Sequence, residues 1–372
     1  MAANRKSQAA SENGALGNAR KAKQDEFYTR LEDISSELMH YKTQLHGKTI
    51  FCNCDDPFES NFFKYFALNF NALELKKLIA TSYRPSAIAG KQLPLLSIEG
   101  LKPSGREPYA IEITNVPGRD VGGIIDLSDV KYLLQHTANV SRPLVGDDNY
   151  SAGDFRSRKC IELLKQADII ITNPPFSLFR EFVAQLVGHK KKFLIIGNKN
   201  AITYKEVFRL IKDNRLWIGV MPMGRDMLFT VPDDYAKRMI ATGKLGSNYK
   251  IIDDVVYGRS TSIWFTNLDN RKRHEFIPLY KRFDPSEYPT YDNYDAIEVG
   301  KVSDIPVDFQ GPMGVPITFL DKFNPDQFKI LGLAAGNIRG LAGIPNTTGK
   351  DGPYIGGKLK YGRIFIEQRR GD

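Results

Sequence analysis

The 372-residue chain has few of the residues that staple or clip a fold. It holds three cysteines, Cys52, Cys54 and Cys160. Their number is odd, Cys52-Asn53-Cys54 is too tight for an ordinary bridge, and no CxxC pair exists, so a disulfide framework is excluded. The five histidines (His40, His46, His136, His189, His274) are scattered, and no structural metal is expected. Reduced thiols fit a cytoplasmic protein. No window offers about 18 consecutive apolar residues. Residues 1–24 hold no apolar core of the signal-peptide kind. Neither a membrane span nor export is expected.

What is present is positive charge. Lysine and arginine number 52 against 43 acidic residues, a net charge of +9, which favours a polyanionic partner with nucleic acid first. Mere solubility is the alternative. The length suggests two domains, or one large core with insertions. Residues 1–24 are small, polar and basic and read as a disordered tail, with Arg5, Lys6, Arg20, Lys21 and Lys23 as phosphate candidates or simply solvated charges.

Apolar spacing at Leu31, Ile34, Leu38 and Tyr41 predicts a helix within 25–45. Strand and helix patterns then alternate. Strands are predicted at 48–54, 75–83, 167–172 and 191–198, and helices at 60–70, 156–166, 177–187 and 203–213. The alternation predicts an α/β fold with a mostly parallel sheet. Residues 216–220 and 262–268 read as an antiparallel hairpin at the sheet edge. Residues 84–150 are too long for a loop and read as an insertion, with strand candidates at 110–114 and 122–127. Residues 221–261 read as an elaborated connection. After Asn267 the texture turns basic and then rich in Tyr, Asp, Gly and Pro, which places a domain boundary near 269.

Ligands of open α/β sheets bind at the carboxyl ends of the strands. Asp55 and Asp56 end the first predicted strand, Asp154-Phe155 precedes the helix at 156, and Asn173-Pro174-Pro175-Phe176 ends the strand at 167–172. Pro175 has no N–H and biases Pro174 toward an extended conformation, so the turn is stiff and leaves the Pro174 carbonyl as an acceptor. The Asn173 side-chain oxygen is a second acceptor. Two acceptors side by side suit an amino group with two hydrogens, and Phe176 offers a face to a flat ring. The alternative is a rigid strand-to-helix turn with Asn173 as N-cap and Phe176 in the core.

Asn173-Pro174-Pro175-Phe176 resembles the catalytic motif of amino methyltransferases that use S-adenosylmethionine, most often on adenine. Phe27-Tyr28-Thr29 resembles the cofactor-contacting motif before their first strand. Cys54-Asp55-Asp56-Pro57-Phe58 resembles the acidic turn bordering the methionine part, and Gly153-Asp154-Phe155 the motif at the cofactor adenine. With SNFFKYF, WFTNL and GVPITFLDKFNPDQF (314–328), residues 25 to about 330 resemble the EcoRI-type adenine-specific DNA methyltransferase family. The resemblance implies a Rossmann-like class I methyltransferase fold, a catalytic domain over 25–268 and a target-recognition region over 269–372. It implies methylation of the 6-amino group of an adenine flipped out of duplex DNA, with S-adenosylmethionine as cofactor and no metal. A monomer is expected; the sequence leaves open a cognate restriction endonuclease as partner or an enzyme that stands alone on a phage or mobile element. The same tetrapeptide type also serves RNA adenine and protein glutamine methyltransferases, and a non-catalytic DNA-binding protein or a DNA-packing protein on such a scaffold is a further alternative.

The chain departs from the common methyltransferase pattern twice. Glu59-Ser60-Asn61 stands where a Gly-rich turn usually follows the first strand, and the second strand ends in Thr81-Ser82-Tyr83 with no acid for the cofactor ribose. Asn198, Lys199, Arg271, Lys272 and Arg273 are candidates for DNA contact, against the alternative of solvated loops. Tyr288, Tyr291 and Tyr294 line a recognition surface or, more ordinarily, pack.

Overall fold

The computed structural model describes residues 29–57, 60–83, 108–116, 140–230, 240, 249–253, 255–335, 342–350 and 352–369. Phe27, Tyr28, the basic tail, the strand expected at 122–127 and most of 84–150 lie outside them. The chain is a mixed α/β protein with an eight-stranded mixed sheet. It forms two compact units, one of residues 1–198 with 226–262, the other of residues 199–225 with 263–372. Among the described residues no helix is long and apolar enough to cross a membrane.

In the first unit, helix α1 (Leu31–Leu38) buries Ile34 and Leu38 on the stripe seen in the sequence. Strands β1 (Thr49–Cys52), β2 (Lys77–Thr81), β3 (Tyr109–Ile113), β4 (Val140–Pro143), β5 (Ile169–Thr172) and β6 (Lys192–Asn198) lie side by side in the order β4-β3-β2-β1-β5-β6. β1 and β5 are buried at every residue, as their unbroken apolar runs require. β2, β1, β5 and β6 are mutually parallel. β3 pairs antiparallel with β2, and β4 antiparallel with β3. The expected parallel sheet is therefore confined to the four central strands. Short runs such as Tyr109–Ile113 carry no signal of direction, which pairing alone decides.

Helices α2 (Asn61–Leu68), α3 (Arg158–Gln166) and α4 (Phe179–Gly188) follow β1, precede β5 and follow β5 respectively. Ser60 caps α2, its Oγ accepting from the Phe62 and Phe63 N–H groups, and Ser157 caps α3. The order reverses at β1, with β2 on one side and β5 and β6 on the other, so the switch point of the sheet falls between the ends of β1 and β5. The described part of 221–261 is more than a connection. β8 (Met227–Thr230), β9 (Tyr249–Ile252) and β10 (Val255–Ser260) form an antiparallel sheet in the order β8-β10-β9.

The second unit contains α5 (Lys205–Lys212), β7 (Trp217–Ile218) and β11 (Ser262–Thr266), the last two antiparallel as the edge hairpin predicts. Its C-terminal part, for which the sequence predicts no strands, folds as a four-stranded sheet. β12 (Ile297–Glu298), β13 (Met313–Pro316), β14 (Phe328–Ala334) and β17 (Arg363–Gln368) run in the order β12-β13-β17-β14, and a small hairpin joins β15 (Tyr354–Ile355) to β16 (Lys358–Leu359). Tyr291 and Tyr294 pack against Phe365 in this core. Tyr288 is buried too, its hydroxyl donating to the Asp304 carbonyl.

Candidate active site

β1 and β5 end beside each other at the switch point, and a buried carboxyl group ties their turns together. Asp55 Oδ1 accepts from Ser60 Oγ at 2.9 Å. Its Oδ2 lies against Thr172 Oγ1 and accepts from the Asn173 N–H at 3.3 Å. Thr172 is the last residue of β5 and Asn173 the first of the Asn-Pro-Pro-Phe turn. Ser60 both binds Asp55 and caps α2, so one carboxyl couples a helix start to two strand ends.

Burial pushes the Asp55 carboxyl up to about 7, with Asp56 raising it further and the bonds from Thr172, Ser60 and Asn173 pulling it down. The Thr172 hydroxyl also lies against the Asn53 carbonyl.

The raised carboxyl makes stability depend on pH. Asp55 titrates near 7 in the fold and near the ordinary 3.8 when unfolded, so between these values the native state holds more protons. Stability from this group is greatest below 3.8 and falls as pH rises through 7. Asp55→Asn is expected to remove that fall. Urea midpoints at pH 5 and pH 8 should converge for the variant relative to the parent, and an unchanged difference would show that Asp55 ionises freely.

The turn after β1 answers the missing glycines. Cys54 has φ 71°, the left-handed conformation that a glycine takes without strain. The strain is braced by Thr81, whose hydroxyl accepts the Cys54 N–H at 3.4 Å and donates to Asn53 Oδ1 at 3.0 Å. Thr81, expected only as a strand end lacking an acid, is thus a brace for the turn. Asp56 is half-buried, and its Oδ1 accepts from the Tyr109 hydroxyl at 2.9 Å. Thr29 is buried, and its carbonyl accepts from Asn61 Nδ2 at 2.8 Å at the start of α2.

Pro174 is buried, while Asn173, Pro175 and Phe176 are half-buried. A 3-10 turn starts at Phe176, Pro175 holds its N-cap position, and no side chain caps it. The Leu178 N–H closes the turn on the Pro175 carbonyl at 2.9 Å, not on that of Pro174. The segment is a strand-to-helix turn, but Asn173 is not its N-cap and Phe176 is half-buried rather than a core residue.

Gly153 has φ 78° and lies against the Ser82 carbonyl just past β2, where a Cβ would overlap it. This seats Asp154-Phe155 beside the strand ends. The Asp154 carboxylate is held by Arg156 through Nε at 3.0 Å and Nη2 at 2.8 Å, and Arg156 reaches on to Glu181. Phe155 is 2% exposed and packs edge-on against Phe182.

The DNA candidates part company. Asn198 ends β6 and donates to Thr261. Lys199 Nζ donates to the Met223 carbonyl and Lys272 Nζ to the Val220 carbonyl, each at 3.2 Å, and Asp321 accepts the Met223 N–H, so these groups hold the 219–225 loop. Arg273 is corrected outright. It is 7% exposed, its guanidinium lies 3.7 Å over the Trp217 ring and it donates to Asn214. Of the run 271–273, Arg271 alone presents its cation to solvent, with a side chain 94% exposed. The missed residues of the site, Ser60, Thr81, Tyr109 and Thr172, have no local motif that marks them.

The family profile described as "Adenine-specific methyltransferase EcoRI" matches residues 15–369. The chain belongs to the EcoRI adenine-specific methyltransferase family. It is similar to the type II methyltransferase M.EcoRI of Escherichia coli, 42% identical over 367 residues that cover 96% of this chain and 97% of that one. It is also similar to the type II methyltransferase M.MpnI of Mycoplasma pneumoniae, 34% identical over 361 residues, 95% and 97% of the two chains. No solved structure matches the chain. As a member of the EcoRI family it is an adenine-specific DNA methyltransferase, with S-adenosylmethionine as methyl donor.

The strand-end residues fit that cofactor. Thr29 Oγ1 and Asn53 Nδ2 are buried polar atoms with no hydrogen-bond partner among the described residues. Such atoms are costly unless a bound polar group satisfies them. Asn53 leads into the acidic turn and Thr29 is tied to Asn61 at the start of α2, so both offer polar atoms that a hydroxyl-rich, charged cofactor can satisfy.

Proposed function

We propose that the chain is a type II, site-specific DNA adenine-N6 methyltransferase of a restriction–modification system, and that its acceptor pocket is the Asn173-Pro174-Pro175-Phe176 turn. The observation that carries this reading is the tie, through Asp55, Thr172 and Asn173, between that turn and the acidic turn after β1. When bound, S-adenosylmethionine supplies an electrophilic methyl on a sulfonium sulfur. Thr29, Asn53, Cys54, Asp55, Asp56, Asp154 and Phe155 are its candidate binding residues, together with Phe27 and Tyr28.

The adenine amino nitrogen is a poor nucleophile because its lone pair is delocalised into the ring. Asn173 Oδ1 and the Pro174 carbonyl accept its two hydrogens and draw the nitrogen toward a tetrahedral state. The gain comes from positioning and polarisation. Phe176 stacks on the base, which must leave the duplex to reach the turn. Residues 25–268 form the catalytic domain and 269–372 the target-recognition region. The enzyme acts as a monomer on duplex DNA, and a restriction endonuclease is its counterpart.

The test is sequencing that detects modified adenines in DNA from cells expressing the chain. The expected result is N6-methyladenine at one recurrent sequence. Unmodified DNA, or labelled methyl appearing in RNA instead, would overturn the assignment.

A further inference from the structure

β15 and β16 pair antiparallel, with Tyr354 opposite Leu359 and Ile355 opposite Lys358. The register leaves a two-residue turn, Gly356-Gly357, with φ 55° and 73°. That is the turn whose twist matches paired strands, and glycine takes both positions without strain. A two-stranded hairpin is marginal alone, and this one is braced from outside. Asp292 Oδ1 accepts the Gly356 N–H at 3.0 Å and Oδ2 the Gly357 N–H at 2.7 Å. Asn293 Oδ1 accepts the Tyr354 N–H at 3.0 Å, and its Nδ2 donates to the Gly352 carbonyl at 2.8 Å.

The braced ribbon presents Lys358, Leu359, Lys360 and Tyr361 to solvent, with Leu359 56% and Tyr361 88% exposed. Among the described residues no carboxylate lies within ion-pair distance of Lys358 or Lys360. The other exposed basic and aromatic segment, Tyr280-Lys281-Arg282, differs: Lys281 faces Glu287 and Asp304, and Arg282 faces Asp308. Two cations with no carboxylate partner among the described residues, alternating with an apolar and an aromatic side chain beside a stiff two-stranded ribbon, complement a duplex groove. Its phosphates attract the ammonium groups, and its base edges and sugars meet the apolar ones.

We propose that the 354–361 hairpin is a DNA-reading ribbon of this enzyme, Lys358 and Lys360 contacting phosphates and Leu359 and Tyr361 the groove. The inference rests on the reading of the chain as a DNA methyltransferase. It is tested on the full chain by fluorescence anisotropy across a salt series. One labelled duplex carries the sequence found methylated and the other has random sequence, with cofactor binding and melting temperature as controls. Lys358→Ala with Lys360→Ala should weaken both duplexes roughly tenfold at about 0.1 M salt and flatten the log K against log salt slope by about 2. Arginine at both positions should keep the parent slope. Tyr361→Ala should cost the methylated sequence roughly tenfold more than the random one.

Parent affinity and slope in the alanine pair would overturn the proposal, as would a lost slope in the arginine pair. Loss of self-association in sedimentation, with DNA binding at parent level, would overturn it in favour of a contact between copies of this chain. An unaltered chain that methylates no DNA defeats the underlying reading itself, so the two failures are distinct.

Discussion

Asn173→Ala is expected to lower methyl transfer to duplex DNA by about 100- to 1000-fold or more, the scale for removal of one fixed electrostatic partner of a transition state. In the proposed pocket the side chain contributes one of the two acceptors for the amino group, and alanine contributes none. The backbone of the turn is held independently of it. Asp55 accepts the Asn173 backbone N–H, and the two prolines stiffen the rest of the turn. The variant should therefore keep its melting temperature and bind S-adenosylmethionine in calorimetry as the parent does, while kcat collapses. Near-parent transfer of labelled methyl would sink the assignment of the pocket. Loss of cofactor binding together with transfer would instead make Asn173 part of the cofactor site.

Glu298→Ala should produce the largest loss of stability. Glu298 is 8% exposed, and its carboxylate receives Arg363 Nε at 3.0 Å on each oxygen and also Arg363 Nη2. The Tyr291 hydroxyl donates to the same carboxylate. Burial and the Glu298 carboxylate drive the Tyr291 hydroxyl far above its ordinary value. Removing the acid strands a cation and a hydroxyl inside the four-stranded sheet. The cost of breaking a buried pair from one side is about 3 kcal/mol, or a melting temperature lower by roughly 10 °C for a unit of this size. Glu298→Gln, which keeps an acceptor, should lose less. A scanning-calorimetry endotherm unchanged in Glu298→Ala would mean that the pair contributes nothing net.

Much of the first unit was legible because its signals are local. The apolar run ending at Thr172 and the stripe Phe179, Phe182, Val183, Leu186 place a buried strand and the helix after it, whatever surrounds them. The stiffness of Pro174-Pro175 belongs to the residues themselves. By contrast the strands at 328–334 and 363–368 hide in a Gly- and Pro-dense region, where glycines and bulges break the alternation. β14 and β17 shift register between Ile330 and Gly332. The sheet at 227–260 was missed for a related reason: no residue of Tyr249–Ile252 is buried, so no apolar face marks it.

The site divides in the same way. Asn-Pro-Pro-Phe announces a two-acceptor turn by residue type, and Asp55-Asp56 announces acid at a strand end. That burial raises the Asp55 carboxyl to about 7 was not readable, because the segments that enclose it, Thr172 and Asn173 among them, lie more than a hundred residues away in the chain. Arg273 makes the complementary point. In a run of three basic residues nothing distinguishes it from Arg271, yet Trp217 and Asn214 bury the one while the other stays exposed.

By itself the sequence determined the alternation of strands and helices, the stiff turn after β5 and, through its motifs, the family. The tertiary structure decided which charges are buried, that Cys54 adopts the conformation a glycine would take, and that one carboxyl joins the acidic turn to the acceptor turn. The physical reason is that periodicity and backbone restriction belong to neighbouring residues, whereas desolvation and hydrogen-bond partnership are set by whatever distant segments the strand order brings alongside.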